Sequence, residues 1–477
     1  MSHEERTLVP GLEGTCEEKL SRRDLARSFR TLRTALAGVG AVGVGATASG
    51  QDLFSSQPPT ESRLPKQQVP GTGGAKPAFL LSIFLRGGAD GLSILAPCDD
   101  PNYQAARNAT RIWNPADVGL PDPSMAGIPL TAGIPGLPDF WMPQVLQPLK
   151  DLFDEPNSKL ALFHASGSVD PTRSHFEQQN QMESGTTGNA SPPQPSGWCG
   201  RHLVTKTDHF IGKGLFRGFS YSNFLAQTLN GGQGVTPIPD PTNYAFPIKP
   251  GASQAQEDAR ADALETMYDK FGDPLDTSME SVLKAIAVLN NVDFDSYTPA
   301  TGVMYPPTKF GTELKQAAQL AKTVDKLEVV QLNTGSWDTH DAQGVFAAGG
   351  RMYDLMDELA KGLEAFKKDM VDDGREFIVL VMTEFGRTLA ENSSAGTDHG
   401  HGGVTIAMGT NVIGGQVYGT WPGLAPGQLD IGDMVTTTDI RDIIGEVVAS
   451  ALKNPNTGIV VPPEPGVYEY APVGFMA

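Results

Sequence analysis

FLLSIFLRGGADG, residues 79–91, is a short apolar run that ends in two glycines and an acid. Its aromatic content and its length read as a strand, and the glycines and the acid read as the loop that leaves it. Four more short runs rich in β-branched or aromatic residues read the same way, at 160–164, 327–332, 377–382 and 404–408. Helical patterns separate most of them. The clearest is Met352, Leu355, Met356, Leu359, Leu363 and Phe366, an apolar stripe on an otherwise charged segment that predicts a helix packed on a sheet. Near the end, Thr438 or Asp439 is placed to cap a helix through Ala451 that turns Ile440, Ile443, Ile444, Val447 and Val448 inward. Strands alternating with helices predict an α/β fold with a mainly parallel central sheet sandwiched by helices.

In such sheets ligands bind beyond the carboxyl ends of the strands. Arg86-Gly87-Gly88-Ala89-Asp90 follows the first run, and the run at 160–164 leads through Thr172, Arg173 and Ser174 to His175. Trp337-Asp338-Thr339-His340 lies beyond the third, and Thr383-Glu384-Phe385-Gly386-Arg387 follows the fourth. A short loop later comes Gly396-Thr397-Asp398-His399-Gly400-His401-Gly402. Of eight histidines, five (His164, His175, His340, His399 and His401) fall in these segments. A mixed carboxylate and imidazole set suits Zn, Mn or Fe, with Mg or Ca where oxygen dominates. The plain alternative is a structural polar network.

A formal charge of -19 on 477 residues argues against a nucleic-acid groove or an anionic membrane surface as the main partner, since both need clustered Lys and Arg. At the N-terminus, Ser21-Arg22-Arg23-Asp24-Leu25 precedes a weakly apolar, glycine-rich run and Ala46-Thr47-Ala48, a small-residue cleavage pattern. The segment resembles a twin-arginine export signal. The expected organisation is an export signal at 1–50, a flexible linker at 51–76 and one α/β domain at 77–477, exported to the periplasm or beyond by the twin-arginine machinery. No later stretch has the roughly 20 apolar residues of a spanning helix. If Cys16 leaves with the signal, Cys98 and Cys199 remain, as one disulfide or as two lone thiols.

Arg86 to Leu92, Arg173-Ser174-His175-Phe176, Gly197-Trp198-Cys199-Gly200-Arg201, Trp337 to His340, Glu384 to Arg387 and Gly396 to Gly402 occur in the order seen in a bacterial family catalogued as domain of unknown function 1501. The resemblance runs from about Phe79 to about Leu452. That family is similar to the alkaline phosphatase and sulfatase superfamily, so the resemblance implies an alkaline phosphatase-like fold and a two-metal site acting on phosphate or sulfate esters. It implies Asp90, Asp398 and His399 on one ion, and Asp338, His340 and His401 on the other, with Glu384 replacing or bridging. Two ions about 3.5 to 4 Å apart can hold the attacking and leaving oxygens of an in-line displacement. Ser174, at a helix start, is the expected nucleophile and Thr172 the second choice, while Arg173 or Arg387 is placed to clamp the oxyanion. Val169 stands where sulfatases carry the residue converted to formylglycine, which excludes a sulfatase of the usual mechanism.

Two long Pro- and Gly-rich segments, 113–143 and 229–251, are either caps over the site or surface excursions, and Trp113, Phe140, Trp141 and Tyr244 are placed either to stack on an organic group or to pin the loops. The strand-end cluster together with what the resemblance implies predicts an exported, metal-dependent hydrolase of small or polymer-borne phosphate esters. Its rival is a catalytically silent binding or assembly protein that keeps the fold.

Overall fold

A computed structural model of the chain describes residues 76–131, 137–188, 195–206, 215–245, 253–272 and 275–477. The expected export signal and all but the last residue of the linker lie outside them. Nine strands build the main sheet: β1 (Phe79–Leu85), β2 (Leu160–Gly167), β3 (Gly218–Ser220), β4 (Val235–Pro237), β5 (Val329–Thr334), β6 (Phe377–Thr383), β7 (Gly403–Gly409), β8 (Gln416–Tyr418) and β9 (Thr438–Asp439). Their order is β8-β2-β7-β6-β1-β5-β3-β4, with β9 beside β2. All five strands expected from the sequence are present, within three residues of their expected bounds.

β1 shows why the sheet is central. Phe79, Leu81, Ile83 and Leu85 enter one hydrophobic core, while Leu80 and Phe84 enter another on the opposite face. Successive side chains of a strand point to opposite faces, so a run apolar at both parities must be covered on both. Of the helices, α1 (His175–Ser184) follows β2. Those that cover the sheet include α2 (Trp198–Thr205), α3 (Lys309–Thr323), α4 (Arg351–Val371) and α5 (Ile440–Glu446). α3 and α4 supply the first core, and α2 and α5 the second. The apolar stripe of α4 is buried apart from the half-buried Leu355. Asp439 caps α5, accepting from the Arg441 amide at 2.9 Å. Cys98 lies in the first core and Cys199 in the second, so they are two free thiols on opposite sides of the sheet.

Most pairings are parallel, and β7 is the exception, antiparallel to both β2 and β6. This reversal has a direct consequence for function. The chain leaves β6 and enters β7 at the same edge of the sheet, so the whole excursion 384–402 stays at the end where β1, β2 and β5 also finish. Within it, strand Arg387–Glu391 pairs with Thr397–His399, and Thr388 pairs with Asp433 of a neighbouring two-strand turn. A small four-stranded sheet is thereby built over the strand ends. Among the described residues no helix is long and apolar enough to cross a membrane.

Phe140 on His164 and the Trp141–Ala96 bridge tie the segment 113–143 to the body, while Trp113 and Tyr244 make local contacts. Phe140 and Trp421 pack on the His164 ring at 5.3 and 5.4 Å between centroids. Trp113 carries the Arg111 guanidinium 3.6 Å from its ring centre, Trp141 pairs with Pro129, and the Tyr244 hydroxyl meets that of Thr236 at 3.1 Å. His164 departs from its expected position at a strand end. β2 continues past it to Gly167, the ring is buried, and burial lowers its pKa to about 4, so this imidazole is a neutral core group.

Candidate metal centre

Two glycines bring the strand ends into contact. Gly87 has φ +118°, and a Cβ there would lie 2.4 Å from the Asp338 amide nitrogen, so only glycine lets the loop after β1 lie against the loop after β5. At Gly396 a Cβ would lie 2.3 Å from the carbonyl carbon of His340, which is how the hairpin carrying Asp398 and His399 sits directly on His340.

Three imidazoles and one carboxylate meet there. His175 opens α1, Asp338 and His340 follow β5, and His399 ends a strand of the small sheet. His399 Nε2 and His340 Nε2 are each 3.1 Å from Asp338 Oδ1, and His175 Nε2 is 3.5 Å from Asp338 Oδ2. The Nε2 atoms of His340 and His399 are 2.9 Å apart. His175, Asp338 and His399 alone can offer one ligand atom each within 4.8 Å of one another. Phe385 is the buried floor, its ring 5.1 Å from that of His175 and 4.6 Å from that of His399. The groups themselves are reachable, with side-chain exposures of 42% for Asp338, 41% for His340 and 30% for His175.

The opposite edge of each ring faces an atom that can only accept. His175 Nδ1 meets the Glu384 carboxylate, His340 Nδ1 meets Asp398 Oδ1 at 2.8 Å, and His399 Nδ1 meets the Arg173 carbonyl at 3.0 Å. A neutral imidazole has one donor and one acceptor nitrogen. With an acceptor at Nδ1 the proton belongs there, and each Nε2 turns a lone pair toward Asp338. In that tautomer the three Nε2 lone pairs are turned to the Asp338 carboxylate, an arrangement that a cation stabilises and that resembles the outer hydrogen bonding of metal-bound histidines.

Glu384 is fully buried and fixed, accepting from the Gly87 amide at 2.8 Å and the Gln179 side chain at 2.9 Å as well as from His175. It therefore orients His175. Arg387 is also fully buried. It donates to Asp338 Oδ1 at 2.6 Å and to carbonyls of Gly87, Gly88, Trp337 and Thr397, so it fixes the carboxylate and knits the loops together. Burial raises the Asp338 pKa, but the hydrogen bond and charge of Arg387 outweigh it and hold the carboxylate below its ordinary range. Hydrogen bonds from His340 and Asn392 do the same for Asp398, whereas burial lowers the pKa of His399.

Other expected residues lie apart from this cluster. Asp90 is fully buried against Arg107, with nitrogen to oxygen distances of 2.6 and 2.9 Å, and it also accepts from Ser93 and Gln343. Its oxygens are committed to that network. His401 turns away, with Nε2 3.0 Å from the Ser168 carbonyl and Nδ1 3.5 Å from Asp430. Arg173 points its guanidinium at Asp433 and Asp430, leaving only its carbonyl to the cluster. Thr172 hydrogen-bonds the Glu177 carboxylate. Ser174 is the residue before His175, is half-buried, and its hydroxyl makes no cap on α1. The anchoring role of Gln179 escaped the sequence reading, although its spacing of four from His175 puts both on one helix face.

Residues 78–446 match the family model described as protein of unknown function, DUF1501. The chain belongs to that family. No curated protein matches it. Among solved structures it is similar to Ps i-CgsB, determined in complex with k-i-k-neocarrahexaose, at 9% identity over 80% of this chain and 74% of that one, with a TM-score of 0.35. A TM-score at that level does not establish a shared fold.

Two predictions follow from the buried charges. Asp90→Ala leaves Arg107 buried without its counter-charge, and chemical denaturation is expected to read a loss of about 3–5 kcal/mol; a loss under about 1 kcal/mol would show the pair to be dispensable. Burial raises the Asp433 pKa from 3.8 to about 6 despite Arg173 beside it. The folded chain therefore holds this proton more tightly than the unfolded chain, so the stability it contributes is complete below pH 3.8 and lost as pH rises through about 6. Asp433→Asn should remove that loss, and parallel wild-type and variant stability profiles from pH 4 to 7 would contradict the assignment.

Proposed function

We propose that this member of the DUF1501 family is an exported, metal-dependent hydrolase of the alkaline phosphatase type that acts on phosphate esters, with one divalent cation held by His175, Asp338, His340 and His399. The observation that carries the reading is the set of three imidazole Nε2 atoms directed at one carboxylate while every Nδ1 faces an acceptor. Three nitrogen donors and one oxygen suit zinc, iron or manganese better than magnesium or calcium, which prefer oxygen. Asp90 and His401 have their own partners, so the reading uses one ion where the sequence pattern implied two.

Such a cation supplies Lewis-acid stabilisation of the charge that develops on a phosphoryl group. The chain supplies the rest. Glu384, Asp398 and the Arg173 carbonyl hold the three rings in one tautomer and orientation. Arg387 keeps Asp338 ionised and aimed. Ser174 is the leading nucleophile because serine before a helix usually caps it and this hydroxyl does not, which leaves it available beside His175. Thr172, engaged by Glu177, is the weaker choice. Export rests on the twin-arginine pattern at Ser21 to Leu25.

Chelation of the purified protein is expected to abolish hydrolysis of phosphate monoesters or diesters, and zinc or manganese to restore it. Ser174→Ala should lower kcat on the order of 10³-fold or more with metal content unchanged; undiminished turnover would remove Ser174 as the nucleophile. Glu384→Gln should weaken metal affinity about 10- to 100-fold, measured by competition with a chromophoric chelator. A metal-loaded protein that hydrolyses no phosphate ester would favour the silent binding protein.

A further inference from the structure

The arginines around the cluster differ in what they already hold. Arg387 has no exposed side-chain surface and donates to Asp338 and four carbonyls. Arg173 is paired with Asp433 and Asp430. Arg86, beyond the end of β1, is paired with Glu183 at 2.9 Å and donates to Asn333 at 3.0 Å. Arg351 stands apart from all three. It begins α4, it is exposed, and its Nη1 lies 3.4 Å from the carbonyl oxygen of Asp338, the residue at the centre of the cluster. Among the described residues no carboxylate neutralises it, although the chain as a whole carries a net charge of -19.

We propose that Arg351 is the residue that receives the anionic group of the substrate at this site, an inference that rests on the hydrolase reading above. A phosphoryl group beside a cation held by three rings and one carboxylate keeps non-bridging oxygens directed outward. A guanidinium offers them a forked pair of donors that stays charged at any working pH. The backbone at the start of α4 offers an anion little, because the Met352 and Tyr353 amides already donate to the carbonyls of Gln343 and Gly344 at 2.8 and 2.9 Å. The anion contact at this helix end therefore belongs to the side chain. Arg351 is also long and exposed enough to leave the Asp338 carbonyl without exposing a buried group, so recruiting it requires no rearrangement of the core.

The test is calorimetric titration of the metal-loaded protein with inorganic phosphate, with metal content and thermal stability measured on the same samples. Arg351→Ala is expected to weaken phosphate binding about 10- to 100-fold, the effect of losing an exposed charge-assisted contact, with metal content and stability unchanged. Arg351→Lys should recover part of the affinity. Equal phosphate affinity in wild type and Arg351→Ala would overturn this inference and leave the hydrolase reading standing. Failure of the metal-loaded wild type to bind phosphate would overturn both.

Discussion

The site depends on one electrostatic problem, the meeting of Asp338 with the Nε2 atoms of three imidazoles. Each contact that approaches this point can be read as part of its solution. Acceptors at the far edges of the rings fix where the protons are, and Arg387 fixes the carboxylate from behind. The remaining space is bounded by electron-rich atoms, and a cation is the group that such a boundary stabilises. A structural polar network would place donors between acceptors. Here the Nδ1 edges of the rings face outward to acceptors, and Arg387 reaches the carboxylate from behind.

The fold serves this arrangement by collecting loops at one edge. Parallel strands deliver their following loops to the same end of a sheet without special design, which brings together the segments after β1, β2, β5 and β6. Reversing β7 keeps 384–402 there as well, so a single excursion contributes Glu384, Arg387, Asp398 and His399. Pairing within the small sheet then sets these side chains at defined positions. Rigidity comes from fully buried polar groups: Glu384 and Arg387 have no solvent contact, yet both reach residues that do.

Much of this was legible in the sequence because strand length, apolar runs and strand-end polar residues are local signals. The five longest strands and the α4 stripe follow from residue type and spacing, which also narrowed the α5 cap to Thr438 or Asp439. What was not legible depends on distant partners. Asp90 sits where a ligand was expected, but Arg107, seventeen positions on, claims it in the core, and nothing local to either residue announces that pairing. His175 was read as one of the strand-end histidines without a defined place in the site, and the direction of its ring is set by Glu384, 209 positions away. His401 is two residues from His399, and it turns toward Ser168 and Asp430 instead of toward the cluster. The direction of β7 was likewise invisible, since an apolar run carries no sign of which way its neighbours travel.

The most direct test of the account is anomalous diffraction from crystals of the protein grown with zinc or manganese, recorded on both sides of the metal absorption edge. The account predicts one peak enclosed by the Nε2 atoms of His175, His340 and His399 and the carboxylate of Asp338, with each Nδ1 still on its acceptor. A map with no peak there, and with the rings turned to donate hydrogen bonds to Asp338, would contradict it.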